Sequence, residues 1–411
     1  MAKKTSNRIL WYSFALYFLS LVAYAIFSYS LTAPNLVLST NSTFWKFQTY
    51  MWKTFFNNRE LLTQTYFGLI GIIFFNYLFF VSQAIKQKIN NFKLILILFF
   101  ALVIPLLISN NALSYDAFNY IFNAKMVSVY HVDPHTQVAL DFPDDSWTKF
   151  MHNTHTTAPY GRAWTYLSLV PFSLGMGKFV ITWLSFRLFS LLPLATLLFI
   201  FWKYHKKINY TWLIFLVFNP LVLIEVISNV HNDFWMITPA ILSLLLIDSQ
   251  RSKKTNFSSI IKVLFSIVLL GLSIWIKLAT ILLIPIWLLI LIKDKLKDIP
   301  HFYSLANSWP VLASLAMFAP LLTSRSQWFH PWYLAWSISF IPLFSKRNKF
   351  GAAWAVSLLV LSISSMYRYL PFLWHNNYDG DVLSWQRMIT FIPFGIILIL
   401  SFKKVLFNKK R

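Results

Sequence analysis

Leu61–Ile85 reads LLTQTYFGLIGIIFFNYLFFVSQAI, 25 residues without a charge. As one helix rising about 1.5 Å per residue, it is long enough to cross a hydrocarbon core of roughly 30 Å. A second uncharged run, Leu94–Tyr115, follows the basic connection holding Lys86, Lys88 and Lys93. The whole chain alternates in this way. Its 411 residues are 57% hydrophobic and 12% charged, whereas a soluble domain is about a quarter charged. The sequence therefore predicts an all-α, polytopic membrane protein.

Twelve apolar runs can be marked: Ile9–Leu31, Leu61–Ile85, Leu94–Ser109, Phe179–Trp202, Thr211–Ser228, Phe234–Asp248, Ser259–Ile276, Leu278–Ile292, Leu305–Leu322, Trp332–Phe344, Phe350–Tyr367 and Met388–Phe402. They predict about twelve transmembrane helices in a single integral-membrane domain, 1–411. The first run is too long for a signal-peptide core and lacks a small-residue cleavage site, so it reads as a retained span. If the N-terminus is cytoplasmic, alternate connections collect 24 of the 36 Lys and Arg residues on the inside. The positive-inside rule then places both termini in the cytoplasm. Fusing the two short runs that meet at Lys277 would move three later basic clusters outside, so charge favours two spans there.

The excess of basic over acidic residues, +23, does not indicate nucleic acid, because the positive residues mark loops instead of gathering on one surface. Absence of cysteine excludes a disulfide framework, a thiolate metal site and a cysteine nucleophile. No Gly-rich phosphate loop is present, so nucleotide use on the inside has no support. The long connections all fall outside, above all 110–178, which is expected to contain loop helices. Chemistry, if present, faces outward.

Nine of the 13 acids lie on that outer side beyond the first loop: Asp116, Asp133, Asp141, Asp144, Asp145, Glu225, Asp233, Asp379 and Asp381. Asp116 just follows the third run, where partial desolvation raises a carboxylate's basicity and suits it to act as a general base on a hydroxyl. The same position also suits a helix N-cap. Ionisable groups at membrane depth are functional candidates, which brings in Glu225 and the short Asn229-Val-His-Asn-Asp233 connection. The alternative for Glu225 is a structural pairing with Lys277 or Arg187. His231 and Asp233 at i,i+2 have no visible third ligand, so no metal is expected. Lys125, Arg162, Lys277, Arg325, Arg368 and Arg387 form an outer cationic set suited to an anionic lipid headgroup, although any one of them also reads as a snorkelling interfacial residue. Trp328, Trp332, Tyr333 and Trp336 read as an aromatic belt or as packing residues. His152 and His155 are polar loop residues.

At these residues the chain resembles the GT-C superfamily of integral-membrane glycosyltransferases, especially bacterial mannosyltransferase-like members that use polyprenyl-phosphate sugars. The resemblance runs in order over about residues 110 to 400. It comprises Asp116-Ala-Phe-Asn-Tyr-Ile-Phe-Asn-Ala-Lys125, Val132-Asp-Pro-His135, Ala158-Pro-Tyr-Gly-Arg-Ala-Trp164, Val230-His-Asn-Asp233, Ile276-Lys-Leu-Ala-Thr280 and His330-Pro-Trp-Tyr-Leu334. Arg162 stands where the family usually has Pro, and Val230 where it has Gly before His-Asn-Asp.

The resemblance implies transfer of a hexose, with mannose favoured, from a polyprenyl-phosphate donor to a glycan, glycolipid or protein on the outer face of a bacterial cytoplasmic membrane, with inversion and without a cofactor. It makes Asp116 the base and Lys277, His330 and Arg387 the donor-phosphate ligands. His231, Asn232, Asp233, Tyr160, Arg162 and His155 would bind sugar or acceptor. A lipid-linked glycan flippase without chemistry is the alternative, and a polymerase or ligase using a pyrophosphate-linked donor is a third reading. One-sided clustering of the polar motifs favours a transferase, since a transporter exposes its site to both faces.

Overall fold

A computed structural model describes residues 2–32, 38–249, 257–323 and 329–407. Arg325, Trp328 and the basic residues Arg251, Lys253, Lys254, Lys409, Lys410 and Arg411 lie outside the described residues. Among the described residues every regular element is helical. α1 (Ala2–Phe27) is followed by the short α2 (Ser42–Met51), and α3 (Arg59–Lys86) packs back along α1. α4 (Phe92–Leu107) leads to the long connection, which holds α5 (Asp116–Ser128) and ends at α6 (Arg162–Leu174). Next come α7 (Phe179–Lys203), α8 (Tyr210–Val217), α9 (Pro220–Val222, continued by a π turn through Ser228), α10 (Asp233–Asp248) and α11 (Phe257–Ile276). A 3-10 stretch, Leu278–Leu283, precedes α12 (Ile284–Leu291); α13 (Pro300–Asn307), α14 (Trp309–Phe318) and α15 (Leu334–Ile338) are short. α16 (Lys349–Tyr367), α17 (Leu370–His375) and α18 (Gly380–Phe407) close the fold.

Six helices among the described residues are long and apolar enough to cross a membrane: Arg8–Ser30, Arg59–Lys86, Phe179–Lys203, Phe257–Ile276, Lys349–His375 and Gly380–Val405. The count reaches eight if two bent pairs are each one span, Tyr210–Val217 with Pro220–Ser228 at 43° and Pro300–Asn307 with Trp309–Leu322 at 66°. The expected twelve therefore counts apolar runs, several of which do not form full-length helices. Leu94–Ser109 and Leu278–Ile292 yield only the shorter apolar helices Phe92–Leu107 and Leu278–Leu291. Trp332–Phe344 becomes a chain of single turns, opened by Pro331 as the first residue of a 3-10 turn and interrupted by Pro342.

The local chemistry of the helix starts is repetitive. Asn41, Asn58, Asn91, Asn209, Asn219 and Asn348 each accept a backbone N–H of the first turn through the side chain. Such a cap contributes about 1 kcal/mol and fixes where the helix begins. The break at Asn219-Pro220 leaves carbonyls in need of donors within an apolar layer. Tyr17 donates to the Phe218 carbonyl and Tyr77 to the Phe215 carbonyl, both at 2.7 Å. In lipid every backbone polar group must find its partner inside the protein, and these tyrosines supply one. Two clusters built alike join helices: Ser243, Ser266 and Trp287 tie α10, α11 and α12, while Ser314, Ser337 and Trp354 tie α14, α15 and α16. α11 and α18 keep most of their apolar surface exposed, as lipid-facing helices do.

Candidate active site

Arg187, on α7, sets the frame. It is fully buried, and among the described residues no carboxylate is its partner. Its guanidinium donates to the Leu106 carbonyl at 2.8 Å, to the Ser109 carbonyl, to Asn111 Oδ1 at 2.8 Å and to the Ser228 carbonyl at 2.9 Å. It thus fastens the connection that leads to Asp116 onto the turn that leads to His231. The pairing of Arg187 with Glu225 expected as an alternative does not form.

Asp116 is the first residue of α5, and Tyr115 occupies the cap position without a side-chain cap bond. Instead of capping, the Asp116 carboxylate accepts the Tyr160 hydroxyl at 2.7 Å. Burial, and then the Asp116 charge, push the Tyr160 hydroxyl well above the usual phenol range, so it stays protonated and donating. Tyr120, edge-on to Tyr160 at 5.1 Å, is raised for the same reasons. The contact depends on Gly161: its N–H donates to the Ile276 carbonyl at 3.0 Å, and a Cβ there would lie 1.7 Å from the Trp275 carbonyl oxygen. Only glycine permits this approach, which brings the start of α6 against the end of α11 and so sets Tyr160 beside Lys277.

The Asn229–Asp233 turn is strained at one residue. Val230 has φ +63°, a left-handed conformation that costs a β-branched residue about 1–3 kcal/mol. The Gly of the family's Gly-His-Asn-Asp suits that conformation. The turn buries His231 with Nδ1 3.6 Å from Asp116 and Nε2 3.5 Å from Glu225. Its ring stacks on Trp332 at 3.8 Å. Glu225 is fully buried and accepts from Asn229 at 2.9 Å and from the Tyr369 hydroxyl at 2.8 Å.

Asp233 begins α10 and accepts from Lys277 at 2.7 Å and from the Trp336 indole. Lys277 also reaches Asn232 Oδ1 at 3.3 Å and lies 5.3 Å from the ring centres of Tyr160, Tyr333 and Trp336. The second oxygen of Asp233 and the amide nitrogen of Asn232 are buried without a protein partner. Buried polar atoms of this kind are usually bonded, so these two are exceptions within the network.

A cationic region adjoins this buried polar network. His330 stacks on Trp332 at 4.4 Å, and burial lowers it to about 4, which makes it a neutral imidazole at ordinary pH. It lines a cavity of about 180 Å³ with Phe329, Arg368, Tyr378 and Gln386. Arg368 is 5% exposed and donates to Thr390 Oγ1 at 3.4 Å; no carboxylate is among its partners in the described residues. Arg387 is exposed on α18, next in sequence to Gln386, which lines the cavity.

The structure thus gathers Asp116, Tyr160, His231, Asn232, Asp233, Lys277 and His330, with Arg387 at the margin. It does not bring every expected residue in. His155 is exposed and makes none of these bonds. Arg162 turns away from Tyr160 to pair with Asp133 at 2.8 Å, where it lines a separate cavity of about 350 Å³ with His131, His135 and Thr165. Lys125 is committed to Asp145 and lies over Trp147, holding the long loop together. Trp332, Tyr333 and Trp336 pack into this cluster: Trp332 between His231 and His330, Tyr333 beside Lys277, and Trp336 on Asp233. Among the described residues no three His, Asp or Glu side chains converge as a metal cage.

No curated protein and no solved structure matches the chain. Residues 20–293, about two-thirds of the chain and the stretch that carries Asp116, Tyr160, Glu225, the His231-Asn232-Asp233 turn and Lys277, match the family model described as alpha-(1->6)-mannopyranosyltransferase, N-terminal domain, and the chain belongs to this family of glycosyltransferases.

Proposed function

We propose that the protein transfers mannose from a polyprenyl-phosphate donor to a hydroxyl of a cell-surface glycan, glycolipid or protein, at the outer face of a bacterial cytoplasmic membrane with both termini inside. The observation that carries this reading is the polar network in which Asp116, the His231–Asp233 turn and Lys277 meet although they are far apart in sequence. The family description supports mannosyl transfer; the donor lipid, the acceptor and the orientation belong to the proposal.

In the proposed reaction Asp116 takes the proton of the acceptor hydroxyl as that oxygen attacks the anomeric carbon. The bond from that carbon to the phosphate oxygen breaks, and the electron pair leaves with polyprenyl phosphate. Tyr160 orients the carboxylate through its hydroxyl. Asn232 and Asp233 offer their unpartnered atoms to sugar hydroxyls. The growing charge on the phosphate falls to Arg368 and Arg387, with neutral His330 donating a hydrogen bond. Lys277, already neutralised by Asp233, contributes less charge and more positioning. A single displacement inverts the anomeric centre, so an α-linkage requires a β-linked donor.

The test is a transfer assay on the purified protein in nanodiscs with radiolabelled polyprenyl-phosphate mannose and glucose, a membrane lipid extract as acceptor source, and Asp116→Asn alongside. Label should move from the β-linked mannosyl donor onto an acceptor, and the variant should bind donor without transferring. If wild type consumes neither donor yet scrambles lipid between leaflets, the flippase reading replaces this one.

A further inference from the structure

The helix pair α16 and α18 carries the Arg368 cavity at one end and an open groove of about 890 Å³ at the other. The groove lies where the chain turns by 66° between Pro300–Asn307 and Trp309–Leu322. Its inner wall includes Val311, Phe344 and Val405, and its mouth carries Ser345, Arg347 and Lys349. Beside it, α13 exposes Phe302 and Leu305, an apolar surface unsuited to water but suited to lipid.

We propose that this groove binds one anionic glycerophospholipid of the leaflet opposite the candidate active site, with its phosphate at Arg347 and Lys349 and an acyl chain against Val311, Phe344 and Val405. Position supports this first. α16 runs from Lys349 at the groove to Tyr367 beside Arg368, 19 residues or about 29 Å, the thickness of a hydrocarbon core. When one end is at headgroup level, so is the other. Charge supports it second. Among the described residues neither Arg347 nor Lys349 has an ion-pair partner, whereas Lys297, also at the mouth, is paired with Asp294 at 2.8 Å. Basic residues at a membrane surface attract anionic headgroups. The shape is that of an amphiphile's site, since a soluble anion would leave the apolar wall wet.

The experiment is native mass spectrometry of the full-length protein in detergent, titrated with phosphatidylglycerol and phosphatidylcholine of matched chains. One phosphatidylglycerol should be retained about tenfold more strongly than phosphatidylcholine. Arg347→Gln with Lys349→Gln should abolish that preference, and Arg347→Lys should keep most of it. Lys403→Gln with Lys404→Gln, exposed residues of α18 that do not line the groove, should leave it intact. Size-exclusion profile and Tm check that each variant is folded. Equal retention of the two lipids, equal loss in both double variants, or displacement of the lipid by inorganic phosphate overturns the proposal.

Discussion

The two sides of the candidate site differ in sign. The side built from the long connection, the π turn Leu223–Ser228, the Asn229–Asp233 turn and the end of α11 holds three carboxylates, Asp116, Glu225 and Asp233, each fed by a hydroxyl, amide or ammonium donor. The side built from Phe329–Tyr333, the end of α16 and the start of α18 holds Arg368, nearby Arg387 and a neutral His330. Asp379 and Asp381, the acids of that later segment, are exposed. Segregation of this kind suits a displacement in which a proton leaves at one end and negative charge develops at the other. It also divides the labour between the stretch that matches the family model and the stretch that follows it.

The largest effect is expected at the buried Lys277–Asp233 ion pair on the acidic side. Lys277→Ala strands a buried Asp233 carboxylate and should lower stability by about 3 kcal/mol or more, while the double variant with Asp233→Asn should recover much of the loss. Thermal unfolding in detergent measures both; additive losses would show that the two residues act independently. On the cationic side, Arg368→Ala should weaken donor binding about 10- to 100-fold, as expected for charge-assisted hydrogen bonds to phosphate, with a smaller change in stability. Unchanged affinity would make Arg368 a packing residue.

His330 sharpens the contrast through pH. Its folded value, about 4, is below the ordinary 6.5, so the unfolded chain binds more protons between those values and stability falls as pH drops through that window. His330→Gln should remove that part of the acid sensitivity of Tm; an identical pH profile would mean that His330 does not titrate differently on unfolding. The smallest effect is expected at Val230. Glycine relieves the left-handed strain but loses a buried side chain, whereas alanine keeps the strain and loses packing too. Val230→Gly should therefore be more stable than Val230→Ala by about 1 kcal/mol. The reverse order, read by Tm, would show that the turn relaxes.

Much of this was legible in the sequence because charge is scarce in an apolar chain. Asp116, the His-Asn-Asp turn and Lys277 stand out when few other ionisable residues interrupt the hydrophobic runs. Helix count was less legible, since apolar composition does not reveal that Asn219-Pro220 and Ser308-Trp-Pro310 bend the chain. Pair identities were less legible still. Glu225 was open to pairing with Arg187 or Lys277, but the guanidinium is consumed by carbonyls of two connections and the ammonium by Asp233. The role of Gly161 rests on a carbonyl brought near by a distant helix, which no local pattern encodes.

The most direct measurement is donor affinity and single-turnover rate for Asp116→Asn and Arg368→Ala side by side. A base on one side and a phosphate cradle on the other predict that Asp116→Asn keeps the wild-type Kd while its rate falls about 10²- to 10⁴-fold, and that Arg368→Ala shows its main loss in Kd. Wild-type turnover in Asp116→Asn, or a matching loss of donor affinity in both variants, would contradict the division.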